Sequence, residues 1–247
     1  MKEIDDNDCR IAAVILAAGS SSRMRGIKKE YHRLSTGVTV LQSALKTFAS
    51  VPSVKLIVIA VSSGEEDSAR KALDFIPPAC EGSSGENPCK PKIIFVNGGD
   101  ARSASVFNAL SILTEYNPRY VLIHDGARPW VSVSLIENII TSVKKSGAVI
   151  PLLPLTDTPK EIGIRDSESE EQDEAYIERH LKRANVGTAQ TPQAFKFPDI
   201  LYAHEKAAAA KEEFTDDAEI WGRFCGKVAV IKGDPANKKI TFREDLS

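Results

Sequence analysis

The amino-acid sequence predicts an α/β fold of three layers, in which helices cover both faces of a mostly parallel sheet. Two features of its 247 residues lead to this prediction. Short runs that are apolar at nearly every position recur along the chain, as is typical of strands buried on both faces of a parallel sheet. Segments whose apolar residues repeat at helical spacing separate several of these runs, and alternating strands and helices favour a sheet with helices on both sides.

Six strands and two amphipathic helices are predicted in order along the chain. The strands are IAAVILAA (11–18), VKLIVIAV (54–61), KIIFV (92–96), YVLIH (120–124), GAVIPLL (147–153) and KVAVI (227–231). One helix falls within residues 38–50, and a second falls within residues 100–115 with Asp100 as its N-cap. Their apolar faces consist of Val40, Leu41, Ala44, Leu45 and Phe48 in the first helix and of Ala104, Phe107, Leu110 and Leu113 in the second.

Two stretches interrupt this alternation. Residues 77–91 are rich in proline, glycine and serine, which predicts a surface loop. Residues 163–176 are strongly acidic with few apolar side chains, so we interpret them as the solvated tip of an excursion from the sheet. We therefore expect a single domain over residues 1–247, with a protruding arm at about 156–186.

The composition narrows the class of protein. The sequence is 42% hydrophobic and 27% charged with a net charge of −2, which indicates an ordinary globular protein and gives no sign of a nucleic-acid or membrane partner. No apolar run approaches the roughly 20 residues of a membrane span. IAAVILAA follows an acidic segment and not a basic one, so we interpret it as a strand and not as a signal peptide. Four cysteines without a CxxC spacing are expected to be free thiols, and we expect a cytoplasmic protein.

The loops that follow the first, third and fourth strands are where a ligand site is expected, because ligands of such sheets bind beyond the carboxyl ends of the strands. In the first loop, GSSSRM, we expect Gly19 to adopt a positive φ and turn the chain. Backbone N–H groups and the serine hydroxyls, followed by Arg23, would suit a triphosphate with Mg²⁺. A plain strand–turn–helix connection explains this loop almost as well.

The other two loops carry an aspartate each. In NGGDARSAS the glycines would let a planar base approach the backbone, and Asp100 or Ser105 would hydrogen-bond to it; a turn with an N-cap is an equally good interpretation. In HDGARP, Asp125 ends a buried strand and needs a hydrogen bond, a pair with Arg128 or a cation, which favours a functional role. His124 is expected to face the other way and to be structural.

Two later segments carry candidate phosphate or hydroxyl donors. Thr158, Arg183 and Thr191 lie around the predicted arm and would converge if the arm folds back as a hairpin. NKKIT contains Lys238 and Lys239, which are ordinary surface lysines unless their loop faces the same sheet edge. The sequence alone leaves both alternatives open.

Taken in order, these motifs are similar to those of a known family. The order is LAAGSSSRM, KKEY, GGDARSAS, HDGARP, LTDTPK, TPQAF, TDDA and NKKIT. From about residue 11 to the end, the chain resembles the 2-C-methyl-D-erythritol 4-phosphate cytidylyltransferases of the non-mevalonate isoprenoid pathway. The resemblance implies a Rossmann-like, glycosyltransferase-A-like nucleotidyltransferase topology with a β-arm exchanged in a homodimer. It also implies transfer of CMP from CTP to a sugar-alcohol phosphate, with Mg²⁺ and release of pyrophosphate.

The resemblance also implies roles for individual residues. The catalytic pair would be Arg23 and Lys29, which stabilise charge on the α-phosphate. The nucleotide would be held by Ala17, Ala18, Gly19, Ser20, Gly99, Asp100 and Ser105. The acceptor would be held by Asp125, Thr158, Arg183, Thr191, Lys239 and, as a weaker candidate, Thr215. Asp125 is also a weak candidate for the metal, through a water molecule.

The sequence departs from the family pattern at Lys28-Lys29-Glu30-Tyr31, where Pro-Lys-Gln-Tyr is usual, and at Pro159, where an aliphatic residue is usual. Three alternative functions fit the sequence less well. A ribitol 5-phosphate cytidylyltransferase shares the fold, but its first loop more often reads AGGxGTRM, so GSSSRM favours methylerythritol phosphate. A non-catalytic nucleotide-binding protein of the same fold would be indicated by loss of Arg23 or Lys29, and both are present. A nicotinamide-dependent enzyme is disfavoured, since GxGxxG is missing after the first strand.

Overall fold

A computed structural model of the chain describes residues 11–19, 21, 24, 28–73, 91–165, 174–210 and 212–246. These ranges contain ten strands and six α-helices. The strands are β1 (Ile11–Ala17), β2 (Val54–Val61), β3 (Lys92–Asn97), β4 (Tyr120–Asp125), β5 (Ala148–Pro154), β6 (Lys160–Arg165), β7 (Glu174–His180), β8 (Gly187–Ala189), β9 (Gln193–Lys196) and β10 (Ala229–Lys232). The helices are α1 (Val40–Ala49), α2 (Glu66–Ala72), α3 (Arg102–Leu113), α4 (Val133–Ser146), α5 (Phe197–Ala210) and α6 (Asp217–Phe224).

The central sheet has the order β10-β5-β9-β4-β1-β2-β3, with β8 paired to β5. Strand β9 runs antiparallel to both of its neighbours and β8 runs antiparallel to β5, while the remaining pairs are parallel. The prediction of a mostly parallel α/β sheet is thus confirmed. The chain goes from β1 to β2 and β3 on one side and then crosses to β4 on the other, so the carboxyl ends of β1 and β4 frame a switch in direction where ligands of such sheets bind.

The three layers follow from strand residues that are apolar on both faces. In β1, Ile11, Ala13 and Ile15 pack in a core with the apolar faces of α1 and α4. The alternate residues Ala12 and Val14 pack in a second core with α3, α5 and α6. Because side chains alternate along a strand, one continuous apolar run fills both cores, which is why the strand has no polar face.

The six predicted strands are present, but neither β8 nor β9 is among those predicted. Strand β9 has only four residues and begins with the polar Gln193, so it lacks the long apolar run by which the six strands were predicted. Gln193 is nevertheless buried: its amide donates to Asp216 and its carbonyl accepts from the Ala218 N–H, which ties β9 to the start of α6. A pattern of apolar residues cannot identify a buried polar residue, even when both of its polar groups are hydrogen-bonded.

The predicted N-cap of the second amphipathic helix is wrong. Helix α3 begins at Arg102, and its N-cap is Ala101, which makes no side-chain capping bond. The Ser105 hydroxyl instead accepts a hydrogen bond from the Gly99 N–H and lies 3.1 Å from the Ala101 carbonyl oxygen. Ser105 therefore organises this turn from within the helix, and Asp100 remains exposed.

Strands β6 and β7 form a separate two-stranded antiparallel sheet within the segment predicted as an arm. Ile162 and Ile177 lie directly opposite each other in this pair, and they are 65% and 51% exposed. The acidic tip lies mostly outside the described residues, as does the predicted loop over 77–91. The division into one domain with an arm stays a prediction.

Candidate functional site

A cavity of about 680 Å³ lies beyond the carboxyl ends of β1 to β4. Its walls come from the loops after these four strands, from Lys28, Lys29 and Glu30, and from Lys239 near the end of the chain. The three loops predicted from the sequence and Lys239 of the lysine pair thus face one space. Since polar and charged groups from distant segments converge there, we take this cavity as the candidate site.

The loop after β1 turns differently from the expectation. Gly19 does not adopt a positive φ, whereas Ser21, one of the described residues of this loop, does so with φ of 49°. The Ser21 hydroxyl donates to Oε2 of Glu30 at 3.3 Å, which anchors the turn to the opposite wall. Ser20 and Arg23 lie outside the described residues, so their predicted roles stay predictions.

Glu30 is the unexpected member of this wall. Its side chain is buried, and burial raises the pKa of its carboxyl above the ordinary value although Lys29 and Lys28 act in the opposite direction. This acid stands where the family pattern has glutamine.

Two lysines form the basic side of the cavity. Lys28 donates from Nζ to the Gly19 carbonyl at 3.1 Å and to the Ser62 hydroxyl at 2.8 Å, and it pairs with Glu65 at 3.0 Å. Lys29 donates from Nζ to the Ile240 carbonyl at 3.0 Å. Lys28 thus fixes the loops after β1 and β2, while Lys29 links the cavity to the C-terminal segment.

The glycines after β3 allow two loops to touch. A Cβ on Gly98 would lie 2.3 Å from Cβ of Ala18, and one on Gly99 would lie 2.5 Å from Cβ of Ala104. Ala18 and Gly19 line the cavity together with Gly99, Asp100 and Ser105, whereas Ala17 is fully buried in the sheet. Five of the six described residues predicted to hold a nucleotide therefore border one space.

Asp125 is surrounded by positive charge. Its Oδ2 lies 2.9 Å from Nζ of Lys239 and 3.7 Å from Nε of Arg128, and its Oδ1 accepts from Nε of Arg102 at 3.4 Å. Burial alone would raise the pKa of Asp125, but the three cations outweigh it and hold the pKa well below its usual range. The cluster carries surplus positive charge, which suits an anionic group such as a phosphate.

Below Asp125, a hydrogen-bond chain fixes the end of β4. Thr191 Oγ accepts from the Asp125 N–H at 3.0 Å, so its own proton is directed to Nδ1 of His124 at 3.1 Å. His124 then donates from Nε2 to the Arg128 carbonyl at 3.1 Å. Burial lowers the pKa of His124 to about 4, and the neutral ring is therefore a structural link, as predicted.

The remaining predicted residues lie elsewhere on the single chain. Arg183 is exposed and donates to the Thr156 carbonyl at 2.6 Å, and Thr158, two residues after Thr156, is exposed just before β6. The Thr215 hydroxyl donates to Glu219 at the start of α6. Among the described residues, these three are absent from the cavity lining, whereas Thr191 lies directly under Asp125.

Sequence reasoning missed Arg102 as a site residue. Its guanidinium lines the cavity and pairs with Asp125 and, at 2.8 Å, with the buried Asp217. It stood inside the predicted NGGDARSAS loop, but an arginine at the start of a helix is ordinary, and its partner Asp217 lies far along the chain. Burial lowers the pKa of Arg102, yet the two carboxylates more than compensate and raise it.

The donor set bears on whether Mg²⁺ would fit. Within the ranges given above, no group of three His, Cys, Asp or Glu residues is arranged to hold a metal ion. Asp125 is a single carboxylate already engaged by cations. Mg²⁺ bound through substrate phosphates needs only one or two protein carboxylates and keeps several waters, so the single carboxylate of Asp125 fits a metal that arrives with a nucleotide.

The family model, the related proteins and the solved structures that this chain resembles all describe the same kind of enzyme. A family model described as IspD, 2-C-methyl-D-erythritol 4-phosphate cytidylyltransferase, matches residues 11–247. The bifunctional enzyme IspD/IspF of Bartonella henselae is 35% identical over 241 residues, which cover 96% of this chain and 55% of that protein.

Solved structures agree. The 4-diphosphocytidyl-2C-methyl-D-erythritol synthase of Anaerococcus prevotii is similar with a TM-score of 0.77 at 30% identity, covering 96% of this chain and 92% of that one. The 2-C-methyl-D-erythritol 4-phosphate cytidylyltransferase of Francisella tularensis gives a TM-score of 0.71 at 27% identity, with 96% of each chain covered.

The chain spans about half the length of the curated bifunctional relatives that it matches. In the part of the chain that the structure describes, none of the helices has the length and apolar character to cross a membrane.

Proposed function

Because the chain belongs to the 2-C-methyl-D-erythritol 4-phosphate cytidylyltransferase family, we propose that it transfers CMP from CTP to 2-C-methyl-D-erythritol 4-phosphate and releases pyrophosphate. One observation carries the proposal. The cavity joins a nucleotide-sized wall, formed by the loops after β1 and β3, to the positively charged cluster around Asp125. Two anionic substrates can thus meet in one space.

The proposed reaction is an in-line displacement at phosphorus. An oxygen of the acceptor's phosphate attacks the α-phosphorus of CTP, a new P–O bond forms, and the bond to the bridging oxygen of the β-phosphate breaks. A phosphate monoester is mostly ionised at neutral pH, so the attack needs no general base. The demand on the protein is to position both substrates and to neutralise charge on the equatorial oxygens. Lys29, whose side chain lines the cavity, and Arg23 are the proposed source of that charge.

The acceptor's phosphate is proposed to bind at the Asp125 cluster. Lys239 lines the cavity and Asp125 orients its ammonium group at 2.9 Å. Thr191 supports this arrangement from below by accepting the Asp125 N–H. In this proposal Lys239 contacts the phosphate, and Asp125 and Thr191 fix where Lys239 lies.

We further propose a homodimer in which the arm of one protomer completes the site of its partner. Thr158 and Arg183 are exposed at the base of the arm in the single chain, where they do not reach the cavity. The exposed Ile162–Ile177 pair supports a partner surface, since isolated two-stranded sheets are marginally stable in water.

Mg²⁺ is proposed to enter with the nucleotide, held by the triphosphate and, through water, by Asp125. When bound, it would supply further positive charge to the phosphate oxygens. A cytoplasmic location likewise stays a prediction.

The test is release of pyrophosphate from CTP, UTP or ATP with each candidate acceptor. We expect turnover with CTP and 2-C-methyl-D-erythritol 4-phosphate. Turnover only with ribitol 5-phosphate would overturn the choice of acceptor. Binding of CTP without turnover on either acceptor would instead support a non-catalytic nucleotide-binding protein.

A further inference from the structure

Asp217 is a buried acid for which the proposed reaction has no use. It is the first residue of α6, its side chain is 0% exposed, and it contacts both Arg102 and His204. We propose that Asp217 is a positioning residue that holds Arg102 in the cavity wall and thereby sets the spacing between Asp125 and Lys239. This inference rests on the proposed function, because Asp217 is proposed to affect binding of the acceptor's phosphate.

Arg102, Asp217 and His204 join three helices through their side chains, and we call these three residues the clamp. Arg102 at the start of α3 has Nη2 at 2.8 Å from Oδ2 of Asp217, an ion pair that is not aligned as a hydrogen bond. The other oxygen of Asp217 lies 3.1 Å from Nε2 of His204 on α5. Both oxygens of the acid are therefore engaged, and its carboxylate has one fixed orientation.

Arg102 is shared between two carboxylates. Its Nε donates to Oδ1 of Asp125 at 3.4 Å, while its Nη2 is drawn towards Asp217. Asp125 in turn presents its Oδ2 to Lys239 at 2.9 Å. The order of contacts is His204, Asp217, Arg102, Asp125 and Lys239, running from the buried interior to the open cavity.

A role in the fold alone does not explain this arrangement. Removing a carboxylate from water is costly, and a buried ion pair can often be replaced by apolar residues without loss of stability. Arg102 is 29% exposed in its side chain and borders the cavity, so the pair reaches from the core to the site. The buried acid is thus placed to act on a cavity residue.

Loss of the Asp217 charge has a definite consequence. Arg102 would keep Asp125 as its one acidic partner and would close on it in the bidentate geometry that arginine and carboxylate prefer. Asp125 would then turn away from Lys239. We therefore expect the defect to appear with the acceptor and not with CTP.

The experiment compares Asp217→Asn with Glu205→Gln in the full chain. Glu205 is an exposed acid on α5, the helix that carries His204, and its substitution by glutamine removes a charge at the surface. For Asp217→Asn we expect kcat/KM for the acceptor to fall about 10- to 100-fold, the range for a small misplacement of a positioning group. CTP affinity by calorimetry is expected to stay within about 2-fold, and Glu205→Gln is expected to behave as the wild type.

A double-mutant cycle with Arg102→Gln separates positioning from folding. If Asp217 acts through Arg102, kcat/KM for the acceptor in the double variant equals that of the more impaired single variant. The reason is that both substitutions remove the same contact, which can be lost only once. Additive losses would overturn the clamp, as would wild-type acceptor kinetics in Asp217→Asn. Should Asp217→Asn fail to fold, Arg102→Gln alone decides, since it leaves Asp217 with His204, and unchanged acceptor KM and kcat would contradict the proposal. A wild-type chain without turnover would contradict the proposed function instead.

Discussion

At the scale of single residues, Asp125 and Asp217 are ionised acids placed among cations. Burial alone would raise the pKa of Asp217, but the charge of Arg102 and the hydrogen bond to His204 outweigh this effect and lower the pKa. Both acids therefore stay charged. The sequence indicates only part of this. Asp125 at the end of an apolar strand predicts that cations are nearby, and Arg128 is close enough in sequence to be named. Arg102 and Lys239 are not, because only the fold brings them to the same carboxylate.

Lys29 carries the proposed transition-state charge, so its loss is expected to reduce turnover while the fold survives. We predict that Lys29→Ala lowers kcat by roughly 10²–10³, the cost of removing one preorganised charged donor. Arg23→Ala is predicted to act similarly. The control is Lys46→Ala, which removes an exposed lysine in the last turn of α1. Normal turnover in Lys29→Ala, with circular dichroism unchanged, would contradict the assigned chemistry.

His124 should make the protein less stable as the pH falls. Its pKa is lowered to about 4 from an ordinary 6.5, so between these values the unfolded chain binds the proton and the folded chain does not. The contribution of His124 to wild-type stability is therefore complete above about pH 6.5 and is lost at about 1.4 kcal/mol per pH unit down to about pH 4.

The measurement is urea unfolding of wild type and His124→Asn at pH 7 and pH 5. Asparagine keeps an acceptor for Thr191 but does not titrate, so the variant is expected to be less stable at pH 7 and to lose less on acidification. The exposed His32→Asn serves as the matched control. Equal slopes for wild type and His124→Asn would show that the ring protonates in the folded protein.

At the scale of elements, the nucleotide wall depends on close contact between the loops after β1 and β3. The Gly98 N–H donates to the Val61 carbonyl at 2.7 Å, so the loop after β3 is also tied to the end of β2. From the sequence, these glycines are predicted to let a planar base approach the backbone, and this stays a prediction. The structure adds that Gly98 lets the loop after β3 pack against Ala18 in the loop after β1. Packing between loops depends on distant residues and leaves no local pattern.

Gly98→Ala is predicted to separate these loops and weaken CTP binding. Its Cβ would lie 2.3 Å from Cβ of Ala18 and 2.9 Å from Oγ of Ser105, and such overpacking costs about 1–3 kcal/mol of stability. We expect CTP affinity by calorimetry to fall at least about 10-fold, since the wall itself must move.

Gly222→Ala is the matched control. Gly222 is exposed within α6, and a Cβ there would meet nothing within 4 Å. Alanine in a helix interior is favoured over glycine, so this variant should gain about 0.5–1 kcal/mol in urea unfolding and bind CTP as the wild type does. Equal CTP affinity in both variants would show that the contact between the loops does not shape the nucleotide site.

For the molecule as a whole, the sequence predicts the layers of the fold but not whether one chain brings all the predicted site residues to the cavity. Continuous apolar strands are a local signal, and they predict the parallel sheet that the structure contains. The antiparallel β9, which separates β4 from β5, has no such signal. Nor does any local pattern reveal that Arg183 lies outside the cavity of its own chain, because that depends on where the arm projects.

If the partner's arm completes each site, two inactive variants should restore activity when combined. Lys29→Ala damages the body of the site, and Arg183→Ala damages the arm that the proposal assigns to the partner's site. In a mixed dimer, the protomer with an intact Lys29 would receive the intact Arg183 from its partner, while the other site would carry both defects. Random pairing after co-expression in equal amounts makes half of the dimers mixed, so about a quarter of all sites should be intact.

The measurement is pyrophosphate release by the whole co-expressed mixture, compared with each variant alone, and a different tag on each chain shows that mixed dimers have formed. Co-expression of Lys29→Ala with a chain carrying both Lys29→Ala and Arg183→Ala is the control, since no pairing of those two restores a site. Recovery towards a quarter of wild-type activity in the first mixture, and none in the control, is the expected result. If the mixture stays as inactive as its components while a mixed dimer is recovered, each chain uses its own Arg183, and the exchanged arm is excluded.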